Sequence, residues 1–207
     1  MSLPRRLALL AWAWRNDAWI IEDDYLSELQ LKGRAAPALA SLDHAGRVLH
    51  IGSFSKTISP ALRLGFMVVP PELVHSFGEL AACLAPAPTA AVQRAVRFLR
   101  EGHYIRHLRR MKLLYANRRE ALLRCLGEMA SDAIKVQTTA GLAVIIQLPK
   151  SASDVDIASR ALQFGLAPAP LSPWYVQPLR RQGFLLGVTN LDELRLTASC
   201  RLLLQLV

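Results

Sequence analysis

Cysteine is scarce. Cys83, Cys125 and Cys200 are the only three in 207 residues, far apart and without a CxxC spacing. An odd, scattered set argues against a disulfide scaffold or a thiolate zinc site and fits a reducing compartment such as the cytoplasm. No run approaches the ~18 uninterrupted apolar residues of a membrane span. The apolar segment Leu7 to Trp14 is short, and Arg15-Asn16-Asp17 follows it where a secretory signal would carry small residues, so no signal peptide is expected. Repeats and low-complexity tracts are absent as well. Acidic residues are in deficit, 16 against 25 Lys and Arg, for a formal net charge of +9. That excess favours nucleic acid or acidic partners in general. Much of it comes from Arg94, Arg97, Arg100, Arg106, Arg109, Arg110, Lys112, Arg118, Arg119 and Arg124. Those residues largely ring a helix, and no DNA-reading motif accompanies them, so they read as a solvated helix face.

What is present is apolar material, 52% of the chain, in blocks with alternating periodicity. Leu3 to Trp14 has helical spacing. Ala18 to Ile21 reads as a short buried strand bounded by Glu22-Asp23-Asp24, Arg47 to Ile51 as a second strand closed by Gly52, and Leu64 to Val69 as a third stopped by Pro70-Pro71. Residues 30–45 read as a loop with a short helix. From Glu72 the pattern turns helical to Leu84. Pro86 and Pro88 interrupt it, Thr89 is placed to cap a helix to about Arg100, and His103 to Met129 is one long helix. A strand from Gly141 to Leu148, a helix from Asp154 to Phe164, a proline-rich link, a strand from Phe184 to Val188 and a helix from about Asp192 complete the pattern. Alternating strands and helices give an α/β class. The composition shift near residues 100–130 divides the chain into 1–110 and 111–207.

Two motifs carry chemistry: Ile20-Ile21-Glu22-Asp23-Asp24-Tyr25, and Gly52-Ser53-Phe54-Ser55-Lys56-Thr57-Ile58-Ser59-Pro60-Ala61-Leu62-Arg63. Strand alternation puts Asp23 and Tyr25 on one face and Glu22 and Asp24 on the other. Asp23 ends one strand and Lys56 follows the next, the place where open α/β sheets bind ligands. A lysine amine can form a Schiff base with an aldehyde cofactor. A carboxylate can pair with a pyridine nitrogen, a phenol can tune the ring oxygen, and hydroxyls with an arginine fork can bind phosphate. Together these are the groups that hold and activate pyridoxal 5'-phosphate (PLP). Other readings of the same residues are weaker. The three carboxylates are split between two faces, against a metal site. Gly52 to Thr57 ends in Lys-Thr but lacks the glycine that precedes a P-loop lysine. His103 and His107, four apart without a third ligand, read as exposed polar positions. Trp12, Trp14 and Trp19 read as packing residues.

The segments IIEDDY, GSFSKTISPALRLGF and YIRHLRRMKLLYANRREAL resemble the aminotransferase-like domain of MocR-type regulators, within the fold type I group of PLP-dependent aminotransferases (aspartate aminotransferase-like). The likeness implies the carboxyl-terminal portion of that domain, with a partial large PLP-binding lobe to about residue 110 and a connecting helix with an α+β small lobe after it. It implies that Lys56 carries the cofactor, Asp23 pairs with the pyridine nitrogen, Tyr25 contacts the ring oxygen, and Ser53, Ser55 and Arg63 hold the phosphate. Leu26 stands where the family often has Asp and Ala143 where it often has His, and Asn190 lies near a position where some members place a substrate-carboxylate arginine. The resemblance implies a cytoplasmic homodimer acting on a small amino substrate or effector, with DNA reached only through an N-terminal winged helix outside this sequence. Three functions follow: PLP-dependent amino-group transfer, a PLP or amino-ligand sensor within a regulator, or an inactive truncated remnant.

Overall fold

The computed structural model describes residues 1–33, 36–84, 90–129, 131, 133–138, 141–176 and 181–207. Residues 85–89, with Pro86, Pro88 and the expected Thr89 cap, lie outside these. The chain divides into two compact units, Met1–Leu29 with Arg34–Arg109, and Gln30–Gly33 with Arg110–Val207. Among the described residues no helix is long and apolar enough to cross a membrane.

In the first unit, α1 (Leu3–Arg15) starts with Pro4 in its first turn, where the missing N–H costs nothing, and buries Leu10 and Ala13. It leads into β1 (Ile20–Asp24), which pairs in parallel with β2 (Val48–Ser53). A short 3-10 helix, Leu39–Leu42, lies between them in sequence. Leu10, Leu39 and Val48 form the local core, with Leu9, Ile20, Ala40 and Leu42 against it. β3 (Gly65–Val68) returns antiparallel to β2. Phe66 crosses β2 at Gly52, where a Cβ would come within 2.2 Å of the ring, so this strand position needs glycine.

Some expectations fail here. β1 is not buried: its exposure alternates and Ile21 is 66% exposed. The three tryptophans do not pack inside this chain. Trp12, Trp14 and Trp19 are all exposed, and the Arg47 guanidinium lies 5.2 Å from the Trp19 ring centre. The helix expected from Glu72 opens with a 3-10 turn, Pro71–Leu73, before α2 (Val74–Leu84). α3 (Ala90–Arg100) ends where Gly102 takes a left-handed φ of 73°.

α4 (His103–Met129) matches the expected long helix. It belongs to the first unit up to Arg109 and to the second from Arg110. Tyr104, Leu108, Tyr115, Leu122 and Leu126 are buried at helical spacing. Four of its seven Lys and Arg residues are exposed, as a solvated face requires. Arg119 is buried, Lys112 and Arg118 are half-buried, and Arg118 donates to the Thr189 carbonyl at 2.6 Å.

In the second unit an antiparallel sheet has the order β4 (Lys135–Thr138), β5 (Ala143–Gln147), β7 (Gly183–Gly187), β6 (Ala169–Pro170). β5 alternates, burying Val144 and Ile146 completely, and Phe184 of β7 is also fully buried. α5 (Asp154–Leu162) and α6 (Leu196–Gln205) contribute Ile157, Ala161, Cys200 and Leu203 to the buried set. α6 starts four residues later than expected from Asp192, and β4 and β6 are strands the periodicity does not reveal. Asp154 is a buried hub. Its carboxylate accepts from the Leu171, Ser172 and Gly183 N–H groups at 2.8–3.1 Å and from the Ser172 hydroxyl at 2.6 Å.

Candidate functional site

Because β1 and β2 are parallel, their carboxyl ends leave the sheet at one edge. Asp23 stands opposite Ile51 and Asp24 opposite Gly52, so Tyr25, the first residue beyond β1, and Ser53, the last of β2, come next at this edge. Ile21, Asp23 and Tyr25 are exposed, while Ile20, Glu22 and Asp24 on the other face are half-buried. The turn after β1 is set by Asp24, whose carboxylate accepts from Ser27 N–H at 3.0 Å.

Lys56 lies in a single tight turn. Ser53 Oγ accepts from Ser55 N–H at 3.2 Å, and the Phe54 carbonyl accepts from Ile58 N–H at 2.8 Å and Ser59 N–H at 3.2 Å. Phe54 N–H donates to the Leu64 carbonyl at 3.0 Å, tying the outgoing and returning chains together. Within this turn Lys56 is exposed and Thr57 is buried. Ser59 Oγ accepts from Ala61 N–H and opens a short helix, Pro60–Leu62. That helix ends on Arg63 in a left-handed conformation, φ 50° and ψ 38°. A non-glycine residue there costs about 1 kcal/mol of backbone strain. Ser53 then faces Gly65 across the antiparallel pair. The six residues singled out in the sequence thus occupy one sheet edge and the turn that leaves it.

A cavity of about 200 Å³ opens at this edge. Tyr25 and Ser53 line it, with Glu28, His50, Thr57 and Phe66. Asp23, Ser55, Lys56 and Arg63 do not line it.

Sequence reasoning misses the polar scaffolding behind the edge. Glu22 accepts from Leu39 N–H at 2.6 Å and Ala40 N–H at 3.1 Å, and pairs with His50 Nδ1 at 3.0 Å. Burial pushes its carboxyl pKa up, but the Leu39 N–H, the His50 ring and the Ala40 N–H outweigh this and hold it below the ordinary 4.5. Glu22 therefore anchors the connection between β1 and β2, and among the described residues no group of three or more His, Cys, Asp and Glu is arranged to hold a metal. His107 is the clearest correction. Far from being an exposed polar position, it is half-buried and its Nε2 lies 2.9 Å from the Thr57 carbonyl. Tyr104, one helical turn earlier, donates its hydroxyl to Glu28. Burial first, and the Glu28 carboxylate second, push the Tyr104 phenol above its ordinary range. A glutamate far away in sequence and a histidine one helix turn from a tyrosine leave no local pattern by which these pairs could be found.

In the second unit a larger cavity, about 580 Å³, lies among α6, β7 and residues 164–168. Asn190 is on its wall, and Arg195 is the cation among its lining residues.

Comparisons with known proteins agree over almost the whole chain. It is 36% identical over 194 residues to the probable rhizopine catabolism regulatory protein MocR of Rhizobium meliloti, covering 93% of this chain and 39% of that protein. Among solved structures, the kynurenine aminotransferase of Pyrococcus horikoshii superposes with a TM-score of 0.84 at 26% identity, covering 100% of this chain and 52% of that one. The α-aminoadipate aminotransferase LysN of Thermus thermophilus, solved with N-(5'-phosphopyridoxyl)-L-leucine, gives 0.83 at 26% identity, covering 99% and 54%. No family model matches the chain. The chain spans about two-fifths of the length of such a regulator and about half that of the aminotransferases.

Proposed function

We propose that this chain, which has the fold of the type I PLP-dependent aminotransferases and whose relatives are MocR-type regulators and aminotransferases, is a PLP-binding aminotransferase-like domain that uses Lys56 for amino-group transfer. The observation that carries this reading is the parallel pairing of β1 with β2, which brings the Asp23–Tyr25 end beside the Lys56 turn. The donor set fits the cofactor in kind: a carboxylate, a phenol, two hydroxyls, an amine and a guanidinium. Among the described residues no ion pair engages Asp23, Lys56 or Arg63, so all three are open to a ligand.

When bound, PLP supplies an aldehyde and a ring that accepts electrons. Asp23 holds the proton on the pyridine nitrogen by charge pairing, and Tyr25 donates its phenol to the ring oxygen. Ser53 and Ser55 bind the phosphate with hydroxyl groups, and Arg63 adds a two-pronged charged contact. The strained backbone at Arg63 is consistent with a residue held for binding rather than for the turn. Lys56 Nζ would be the point of covalent attachment, and its free amine would serve as the base that moves a proton at the carbon next to the substrate nitrogen. Residues 1–110 form part of the cofactor lobe, and 111–207 form the connecting helix and small lobe. A cytoplasmic homodimer is the assembly this reading entails.

A second reading follows from the regulator relatives: the same site captures PLP or an amino ligand as a sensor, without turnover. One experiment tests both. The purified chain is incubated with PLP, reduced with borohydride, and mapped by peptide mass analysis beside Lys56→Ala. A stoichiometric label on Lys56, absent in the variant, is expected. Scattered or absent label in a folded sample defeats both readings. Turnover of an amino donor with a 2-oxo acid then favours the enzyme, and capture without turnover favours the sensor.

A further inference from the structure

The turn that carries Lys56 is gripped from one side by the first turns of α4. Tyr104 and His107 are three apart and so share a helix face. Tyr104 meets the ring of Phe54 edge-on at 5.7 Å, and its hydroxyl is bonded to Glu28. His107 reaches the Thr57 carbonyl, in the peptide group between Thr57 and Ile58, at 2.9 Å. A carbonyl only accepts, so Nε2 carries the proton in this contact. The imidazole is itself steadied: the Phe98 ring of α3 meets it at 6.1 Å and 69°. Lys56 is exposed while Thr57 is buried, so the carbonyl that His107 holds belongs to the anchored half of the turn.

We propose that His107 is the positioning residue of the Lys56 turn. It donates Nε2–H to the Thr57 carbonyl and fixes the direction from which Nζ reaches an aldehyde. The proposal rests on the reading of Lys56 as the attachment point for PLP. It assigns His107 no contact with the cofactor. A group aligned by its backbone gains rate through orientation, and a small misplacement is enough to forfeit much of it. The phosphate contacts of Ser53, Ser55 and Arg63 do not pass through His107. Losing the hold should therefore slow covalent capture without weakening the initial binding of PLP.

The test uses the full chain in three forms: wild type, His107→Leu, which removes the donor, and His107→Gln, whose amide can replace it. Each is first required to melt cooperatively. The rate of borohydride-trapped pyridoxyl label on Lys56 is then measured against PLP concentration. In parallel, amide hydrogen exchange over residues 54–59 is followed without PLP. His107→Leu is expected to lower the limiting labelling rate ~10-fold, leave the half-saturating PLP concentration unchanged, and speed exchange in the turn. His107→Gln is expected to restore both readings. If His107→Leu does not fold, Phe98→Leu, which frees the imidazole, should give the same pattern with a smaller change. Label on wild-type Lys56 with no change in the folded variants overturns the positioning role alone, as does a glutamine variant no better than leucine. No label on wild-type Lys56 overturns the cofactor reading, and this proposal with it.

Discussion

In the second unit β5 buries Val144 and Ile146 completely, β7 buries Phe184, and the polar links of the loops converge on an Asp154 that water does not reach. In the first unit all four residues of β3 are exposed, α2 buries none of its residues, and Trp14, Ile21 and Val68 are each more than half exposed. The first unit has a small core around Leu10, Leu39 and Val48, and adds hydrogen bonds to carboxylates nearer its surface. Glu22 ties residues 39 and 40 to β1, and Asp43 accepts from the N–H groups of Ala45, Arg47 and Val48. The contrast separates two jobs. The second unit closes its own core, whereas the unit with the Lys56 turn keeps an apolar, strand-edged face that a further layer of protein could cover.

Asp154 offers the strongest way to break this contrast. Asp154→Ala leaves the buried N–H groups of Ser172 and Gly183 and the Ser172 hydroxyl without this acceptor, while Leu171 N–H keeps the Gly183 carbonyl, and the loss should cost the second unit at least about 3 kcal/mol. Thiol labelling during urea unfolding reads the unit directly. Burial, reinforced by the neighbouring Cys125 thiol, pushes the Cys200 pKa up to about 12, and Cys125 is shielded by its own burial, so neither should react until the unit opens. Exposed Cys83 in α2 should react from the start. Asp154→Ala should shift modification of Cys125 and Cys200 to markedly lower urea. An unchanged labelling midpoint would mean that Asp154 does not hold this unit together.

Gly52→Ala probes the other side with a smaller effect. The new Cβ would meet the Phe66 ring, which also lies against His50 at 5.9 Å and Phe54 at 5.4 Å. Because β3 is exposed, the ring can move outward, so the expected loss is about 1–3 kcal/mol. It should appear as a lowered first melting transition with Cys125 and Cys200 still protected. Loss of that protection would show that the two units unfold as one and would erase the contrast.

The parts of this architecture that were legible in the sequence are those with a local signature. The 3.6-residue period of α4 gave its ends at His103 and Met129, and the glycine and prolines flanking the strands marked β2 and β3. The six candidate site residues stand out because their types are unusual together and because they gather around the ends of β1 and β2 and the turn that follows β2. Illegible were features made by distant partners. Lys135–Thr138 is a strand because β5 pairs with it, although its polar alternation is weak. His107 looks like a surface histidine until the Thr57 carbonyl, 50 residues away, is brought to it. Trp12 and Trp14 look like core residues, and whether an aromatic is covered depends on what packs beside it, which its own sequence neighbourhood does not specify.

The smallest predicted effect concerns Glu22, and its sign distinguishes a surface carboxylate network from a generic packing contact. The Glu22 carboxyl is held below its ordinary 4.5 in the folded chain. A depressed carboxyl contributes stability above its unfolded pKa and loses it as pH falls through the folded value. Glu22→Gln has no charge to lose, so the variant should melt lower than wild type at neutral pH by about 1 kcal/mol of stability. The gap should narrow as pH falls below the ordinary 4.5 and the wild-type carboxyl takes up its proton. Thermal melts of both proteins across that range measure it, and subtraction removes the acid sensitivity they share. A gap that stays constant down to low pH would assign the role of Glu22 to shape alone. The connection between β1 and β2 would then rest on the small core of Leu10, Leu39 and Val48, and the first unit would be held together by the same means as the second.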